Sequence, residues 1–347
     1  MRSMSKKSPH QTLYRAYRPH DFSEVRGQEH VVRALEAAIN NKKISHAYLF
    51  SGGRGTGKTS VARILARELK VSDKDLIEMD AASNRGIDDI RELREGVYAM
   101  PFESPYKFYI IDEAHMLTKE AWNALLKTLE EPPAHVIFVL ATTEKDKVPD
   151  TIQSRCEVYT FKQPTREILA QIVIDVAKKE GYTLERPAAE LVALLAEGSF
   201  RDSLSILQKV LTVSNDKKVN VADVELVSGA PKSELVRTLL TAVAKKDANS
   251  ALKIVQQAIE ENIDARTLTR LLIHRMRVVL LLRYAPDVAE LLSKELSDTD
   301  LVLAKEIAKE PGVNSETLKL LLEAHATMSY AAVPHLPLEL ALIDICK

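Results

Sequence analysis

Gly52-Gly53-Arg54-Gly55-Thr56-Gly57-Lys58-Thr59 sets glycines, a lysine and a hydroxyl in the pattern G-x-x-x-x-G-K-[ST]. Residues of these types at this spacing hold a nucleoside triphosphate. The glycines let the backbone curl so that successive N–H groups converge on the β- and γ-phosphates. Lys58 adds a point charge for those phosphates, and the Thr59 hydroxyl can ligate Mg²⁺. Ser60 follows at the start of a helix whose N-terminal dipole points at the same anion. The bland alternative is a glycine-rich turn with a chance lysine. An apolar strand ahead, Ala47-Tyr48-Leu49-Phe50, and a helix behind with Val61, Ile64, Leu65 and Leu69 on one face argue against it.

Phe108-Tyr109-Ile110-Ile111-Asp112-Glu113 is an apolar strand ending in two carboxylates. A carboxylate at a strand tip beside the phosphate loop can hold Mg²⁺ through its water shell, which suits Asp112. Glu113 is then placed to orient and activate an attacking water. An acidic N-cap before a helix is the plain alternative. His115 completes Asp-Glu-Ala-His, a string shared with helicases of another superfamily, and reads as a fortuitous fourth letter. Thr142-Thr143 end another apolar strand, where a hydroxyl can bond the phosphate or the water, although strands often end in threonine. Ser154-Arg155-Cys156 offers either an arginine finger for a neighbouring subunit or an ordinary surface arginine. Gly198-Ser199-Phe200-Arg201-Asp202 places Arg201 at a helix start, from which it could reach the phosphate across a domain boundary.

These residues need a scaffold, and the periodicity supplies one. Up to about residue 162, short apolar strands alternate with amphipathic helices: Tyr48–Ser51, Leu76–Met79, Phe108–Ile111, Val136–Ala141 and Val158–Phe161 read as strands. Runs apolar on both faces predict a parallel sheet covered by helices. Gln163-Pro164-Thr165 breaks the pattern, and only helices are expected after it: Arg166–Glu180, Pro187–Gly198, Arg201–Val213 and Val221–Val227. Gly229-Ala230-Pro231 marks a second break. Beyond Lys232 the only glycine is Gly312 and there is no Phe or Trp, as expected of a separate helical domain with an aliphatic core. The expected divisions are a disordered tail over 1–12, a nucleotide-binding domain over 13–162, a helical domain over 163–228 and a second over 229–347.

The bulk composition excludes several classes. With 347 residues the chain can bury more than one core, and 28% charged with 5% aromatic residues suits a helix-rich soluble protein. A formal charge of −1 provides no global attraction for nucleic acid. Basic helix faces such as Arg270, Arg275 and Arg277 read as solvated surface. Two cysteines, Cys156 and Cys346, suggest neither a disulfide framework nor zinc, and favour a reducing cytoplasm. No apolar run is long enough to span a membrane, and the first residues lack a signal peptide's apolar core.

In this order the motifs resemble the AAA+ ATPases, and more closely the gamma/tau subunits of bacterial DNA polymerase III clamp loaders. The strings that carry the resemblance are Leu13-Tyr14-Arg15-Ala16-Tyr17-Arg18-Pro19, Val25-Arg26-Gly27-Gln28-Glu29-His30, Ser45-His46-Ala47-Tyr48-Leu49-Phe50-Ser51-Gly52 and Asp80-Ala81-Ala82-Ser83. With them go Ala124-Leu125-Leu126-Lys127-Thr128-Leu129-Glu130-Glu131-Pro132-Pro133, Leu140-Ala141-Thr142-Thr143, Ser154-Arg155-Cys156 and Gly198–Asp202. They are dense to about residue 213 and thinner beyond.

The resemblance implies an α/β AAA+ P-loop domain with a parallel sheet, a small helical lid and an all-α collar. It implies ATP and Mg²⁺ as ligands. Lys58 and Thr59 then act as Walker A, Asp112 and Glu113 as Walker B, Thr143 as sensor 1 and Arg201 as sensor 2. Arg155 becomes the arginine finger acting on the next subunit's ATP. Arg18, Pro19 and Val25 match the segment that packs against adenine, and Arg91 falls on a helix facing DNA. The implied partners are a sliding clamp, primer–template DNA and other loader subunits in a pentamer. Relatives usually carry a four-cysteine zinc module before the second strand. Here Arg67–Asp73 runs almost directly into Leu76–Asp80 without cysteine, so zinc is not expected. Two other roles compete: a non-hydrolysing scaffold of the same assembly, and a hexameric branch-migration motor. The first tends to lose P-loop or Walker B residues, and the second usually ends in a winged helix.

Overall fold

The computed structural model describes residues 11–84, 86–214, 217–287, 298–310 and 312–347. The expected tail therefore lies outside the described residues except for Gln11 and Thr12, and the Thr12 carbonyl already accepts the N–H groups of Arg15 and Ala16. The chain divides into two compact units, one running to Leu169 and including Ala196–Ser205, the other comprising Ala170–Leu195 and Ile206–Lys347.

The first unit is built on a five-stranded parallel sheet: β1 (Ala47–Gly52), β2 (Leu76–Asp80), β3 (Lys107–Asp112), β4 (Val136–Thr142) and β5 (Glu157–Phe161), in the order β2-β3-β4-β1-β5. Alternation sorts each inner strand between two cores. Ala47, Leu49, Tyr109, Ile111, Phe138 and Leu140 face one side, with Ile90 and Val97 of the helix Ile87–Val97 and Trp122 and Leu125 of the helix Lys119–Glu130. Tyr48, Phe50, Phe108, Ile110, Ile137 and Val139 face the other, with Val31 and Leu35 of Glu29–Asn40 and Val61, Ile64 and Leu65 of Lys58–Glu68. Each fully buried side chain of this size stabilises the unit by about 1.5–3 kcal/mol. The predicted strands were each short by a residue or two, because polar end residues such as Lys107, Asp112 and Thr142 extend the ladders without adding to the apolar run.

Between the helix Lys58–Glu68 and β2 the chain makes a short turn held by a single carboxylate. Asp75, 1% exposed, accepts the N–H groups of Phe102 at 2.5 Å, Glu103 at 3.0 Å and Ser104 at 2.9 Å. Burial alone would raise its pKa, but the hydrogen bonds from Glu103, Phe102 and Ser104 outweigh it and hold the carboxyl well below its usual range. A depressed folded pKa means stability that is present above the unfolded value of about 3.9 and lost as the pH falls from there through the folded value. We expect Asp75→Asn, which turns an amide N–H toward these donors, to destabilise the first unit by about 2–4 kcal/mol. Urea titrations at several pH values would show it as a lower midpoint and a weaker loss of stability in acid; an unchanged midpoint would remove Asp75 as the staple.

The second unit is helical around an aliphatic core that includes Leu235, Leu239, Val243, Leu268, Leu272, Val279, Leu321, Leu338 and Leu342. Two sequence expectations are corrected here. The stretch after residue 165 is not purely helical: Thr183–Leu184 and Lys218–Val219 pair in parallel as β6 and β7. Segments of two residues carry no period by which they could be recognised. Nor are the basic faces all solvated. Arg275 is largely buried and pairs with the buried Asp300 at 2.7 Å, and only Arg277 of the three arginines is exposed. Gly312 is the glycine this unit cannot replace, because a Cβ there would lie 2.1 Å from the Ala244 carbonyl oxygen. Among the described residues no helix is long and apolar enough to cross a membrane.

Candidate active site

The carboxyl ends of β1, β3 and β4 deliver Gly52, Asp112 and Thr142 to one edge of the sheet, the edge where open α/β sheets bind ligands. The helix Lys58–Glu68 starts directly from the glycine-rich loop with no side chain capping it, so its first N–H groups remain available to an anion. Lys58 is 6% exposed and folds over the loop, donating to the carbonyls of Gly52 at 2.7 Å and Gly53 at 2.8 Å. Burial pushes its ammonium pKa below the usual value against the pull of Glu113 and Asp112, while Arg201 adds to the lowering. A phosphate would supply the anionic partner that those carbonyls replace. Thr56 braces the loop by donating to Gly53 O at 2.9 Å, and Arg54 points to solvent.

The Thr59 hydroxyl donates to Asp112 Oδ2 at 2.7 Å. Two hard oxygen donors converging beside a phosphate site fit Mg²⁺, and these two residues would hold it. Asp112 Oδ1 accepts the Glu113 N–H at 3.0 Å. Glu113 itself has left-handed backbone, φ 48° and ψ 42°, unusual for a residue with a Cβ and common where function holds strain. Its Oε2 accepts the Thr143 hydroxyl at 3.2 Å. The two residues expected to handle the water are thus joined. Thr143 also lines a cleft of about 550 Å³ with Ser51, Gly52, Glu144 and Thr160.

Arg201 begins the helix Phe200–Val213, lies near the Tyr14 ring (5.6 Å to its centroid) and is sensed electrostatically by Lys58. Gly198–Arg201 is seated on the phosphate loop: the Phe200 N–H donates to Gly55 O at 3.0 Å, and a Cβ on Gly55 would meet Ser199 Oγ at 2.0 Å. With φ at +71°, Gly55 has both a steric and a conformational reason to be glycine. Arg18 is half-buried; burial, Arg63 and Arg201 lower its pKa against the pull of Glu78 and Asp112, so it sits among the charges of the phosphate end. Pro19 is half-buried, and Val25 packs on the core under β1. Arg155 stands apart from this cluster: it donates to Thr151 O at 2.6 Å and pairs with Glu130 at 2.6 Å, neither of which belongs to the P-loop or β3. Arg91 is exposed on the helix Ile87–Val97.

Two residues were given no role from sequence. Gln28, fully buried, donates to Lys162 O at 2.7 Å and accepts the Lys162 N–H at 3.1 Å, tying the entry segment to the end of β5. Its only signal is a long polar side chain beside a helix start. His115 completes the Asp-Glu-Ala-His string and was given no role of its own. It is buried under the site with Nδ1 3.1 Å from Thr142 Oγ1. Among the described residues no group of three or more His, Cys, Asp or Glu is arranged to hold a metal by itself.

Known proteins resemble this chain over most of its length. The family model described as DNA polymerase III, delta subunit matches residues 27–84 and 70–165. The model for DNA polymerase III subunits gamma and tau domain III matches residues 219–347. The tau subunit of DNA polymerase III from Bacillus subtilis is 37% identical over 97% of this chain and 63% of its own length. The gamma/tau subunit of Mycobacterium tuberculosis is 38% identical over 80% of this chain and 52% of its own. The Escherichia coli tau subunit is 38% identical over 78% and 46%. The chain thus spans roughly half to under two thirds of the relatives' length. Among solved structures, the Thermotoga maritima RuvB Holliday junction branch migration motor superposes with a TM-score of 0.53 at 24% identity, over 65% of this chain and 79% of that one, which is a likeness of fold. A relative matched over 97% of this chain and a gamma and tau domain model matched to its last residue decide between these relationships: the chain belongs to the gamma/tau family of bacterial DNA polymerase III subunits, within the AAA+ ATPases.

Proposed function

We propose that this chain is an ATP-hydrolysing motor subunit of a cytoplasmic sliding-clamp loader, opening the clamp and placing it on primer–template DNA. One observation carries the catalytic part. Thr59 meets Asp112, and Glu113 meets Thr143, which supports reading the first pair as metal-holding and the second as water-activating. A non-hydrolysing scaffold would have no use for those two pairs.

In this reading the loop N–H groups and Lys58 hold the β- and γ-phosphates, and Glu113 takes the proton from the attacking water while Thr143 orients its carboxylate. When bound by Thr59 and Asp112, Mg²⁺ would neutralise charge on the phosphate oxygens. Arg201 adds positive charge from the same chain. Arg155, held within its own chain by Thr151 and Glu130, supplies the neighbouring subunit's γ-phosphate with a guanidinium. Arg18, Pro19 and Val25 flank the nucleoside, and Arg91 faces the DNA backbone, where contacts position without reading sequence. The three domain divisions expected from sequence then act as motor, lid and collar.

The test is ATP turnover of the assembled complex with primed DNA, with the clamp, and with both. Synergy between the two supports a loader. Full stimulation by branched DNA without clamp would overturn it in favour of a branch-migration motor.

A further inference from the structure

His115 lies in the turn Ala114–Met116 directly after Glu113, and its side chain is 7% exposed. Both ring nitrogens face oxygens. Nδ1 is 3.1 Å from Thr142 Oγ1 and 3.5 Å from Glu113 Oε2. Nε2 is 3.3 Å from Glu144 Oε1. Glu144 is itself fixed: its N–H donates to Thr142 Oγ1 at 3.0 Å, and Lys147 pairs with its carboxylate at 2.8 Å. Glu144 and Lys147 line the cleft beside Thr143.

A neutral imidazole has one donor and one acceptor nitrogen. Nε2 faces the Glu144 carboxylate, while Nδ1 faces both the Thr142 hydroxyl and the Glu113 carboxylate. The ring is locked from both ends. Glu113 Oε2 therefore has two fixed neighbours, Thr143 Oγ1 at 3.2 Å and His115 Nδ1 at 3.5 Å. Confinement matters here because the Glu113 backbone is left-handed, a conformation that persists only where neighbouring groups over-determine it.

We propose that His115 is a positioning residue for Glu113, and that through Nε2 it couples the site of this carboxylate to Glu144 on the loop rimming the cleft. The proposal rests on the reading of Glu113 as the group that activates water. His115 touches neither substrate nor metal; it decides where the carboxylate stands.

The experiment measures kcat, KM and nucleotide affinity of the assembled complex for His115→Ala, His115→Asn, His115→Gln and Glu144→Gln, beside Glu113→Gln. His115→Ala should lower kcat roughly ten- to a hundred-fold, the scale of a small misplacement of a catalytic group, with KM and affinity within about two-fold of wild type. His115→Asn, whose amide overlays Nδ1, should recover most of the loss, and His115→Gln, which reaches toward Nε2, should not. Glu144→Gln should lower kcat less than His115→Ala does. The proposal is overturned if His115→Ala leaves kcat within two-fold while Glu113→Gln abolishes it. It is equally overturned if Asn is no better than Ala and affinity falls alongside kcat, the mark of a merely structural residue. Retained turnover in Glu113→Gln would overturn the reading of the site itself, a distinguishable failure.

Discussion

Glu113→Gln is expected to lower ATP turnover by about 10²–10⁴-fold, the contribution of a positioned general base, while ATP still binds. The substitution is isosteric, and the amide carbonyl can still accept the Thr143 hydroxyl that now reaches Oε2 at 3.2 Å. What is lost is the capacity to take a proton. Affinity should hold or rise slightly, because Glu113 and Asp112 both act on Lys58 at the phosphate end, and removing one negative charge favours an anionic ligand. Phosphate release and nucleotide titration on the same preparation separate the two effects. Hydrolysis at the wild-type rate would place the base elsewhere.

Arg155→Ala should leave nucleotide affinity of the isolated chain unchanged and reduce turnover of the assembly by about 10³-fold or more, the range for arginine fingers. The geometry explains the split. Within its own chain Arg155 is engaged with Glu130 at 2.6 Å and with the Thr151 carbonyl. Both members of the ion pair are about one-third exposed or more, and pairs of that kind contribute only up to about 1 kcal/mol. Exchange of Glu130 for a more highly charged phosphate is therefore cheap. Arg155→Lys should not rescue, since a point charge lacks the planar two-pronged donor set. If isolated chains lost as much activity as the assembly, the role in trans would be wrong.

Much of this was legible in the residues, for identifiable reasons. The phosphate loop and Asp112-Glu113 are local: each places its chemistry within a few consecutive positions, and the apolar runs before them announce the strands that hold them. Leu49 and Tyr48 divide between the two cores as a strand buried on both faces requires. The misses are pairs distant in sequence. Nothing in the neighbourhood of Arg275 announces Asp300, and nothing near Arg283 announces that it donates to the carbonyls of Ala308, at 2.6 Å, and Val313, at 2.5 Å, gathering the end of the helix Asp298–Ile307. Periodicity marks such arginines as polar and therefore as surface, whereas a buried guanidinium with carbonyl or carboxylate partners is stable inside. His115 was given no role for a different reason. Its position was noted, but its partners Thr142 and Glu144 come from another strand end, and only the parallel pairing of β3 with β4 brings them beside it.

The central claim is that catalysis is shared, with Lys58, Thr59, Asp112, Glu113 and Thr143 of one subunit completed by Arg155 of the next. Mixing Glu113→Gln chains with Arg155→Ala chains in one assembly tests it most directly. Where an Arg155→Ala chain presents its intact Glu113 to the Arg155 of a Glu113→Gln neighbour, a whole site is restored. The account predicts that the mixture hydrolyses ATP well above either variant alone. A mixture no more active than the average of the two would contradict it.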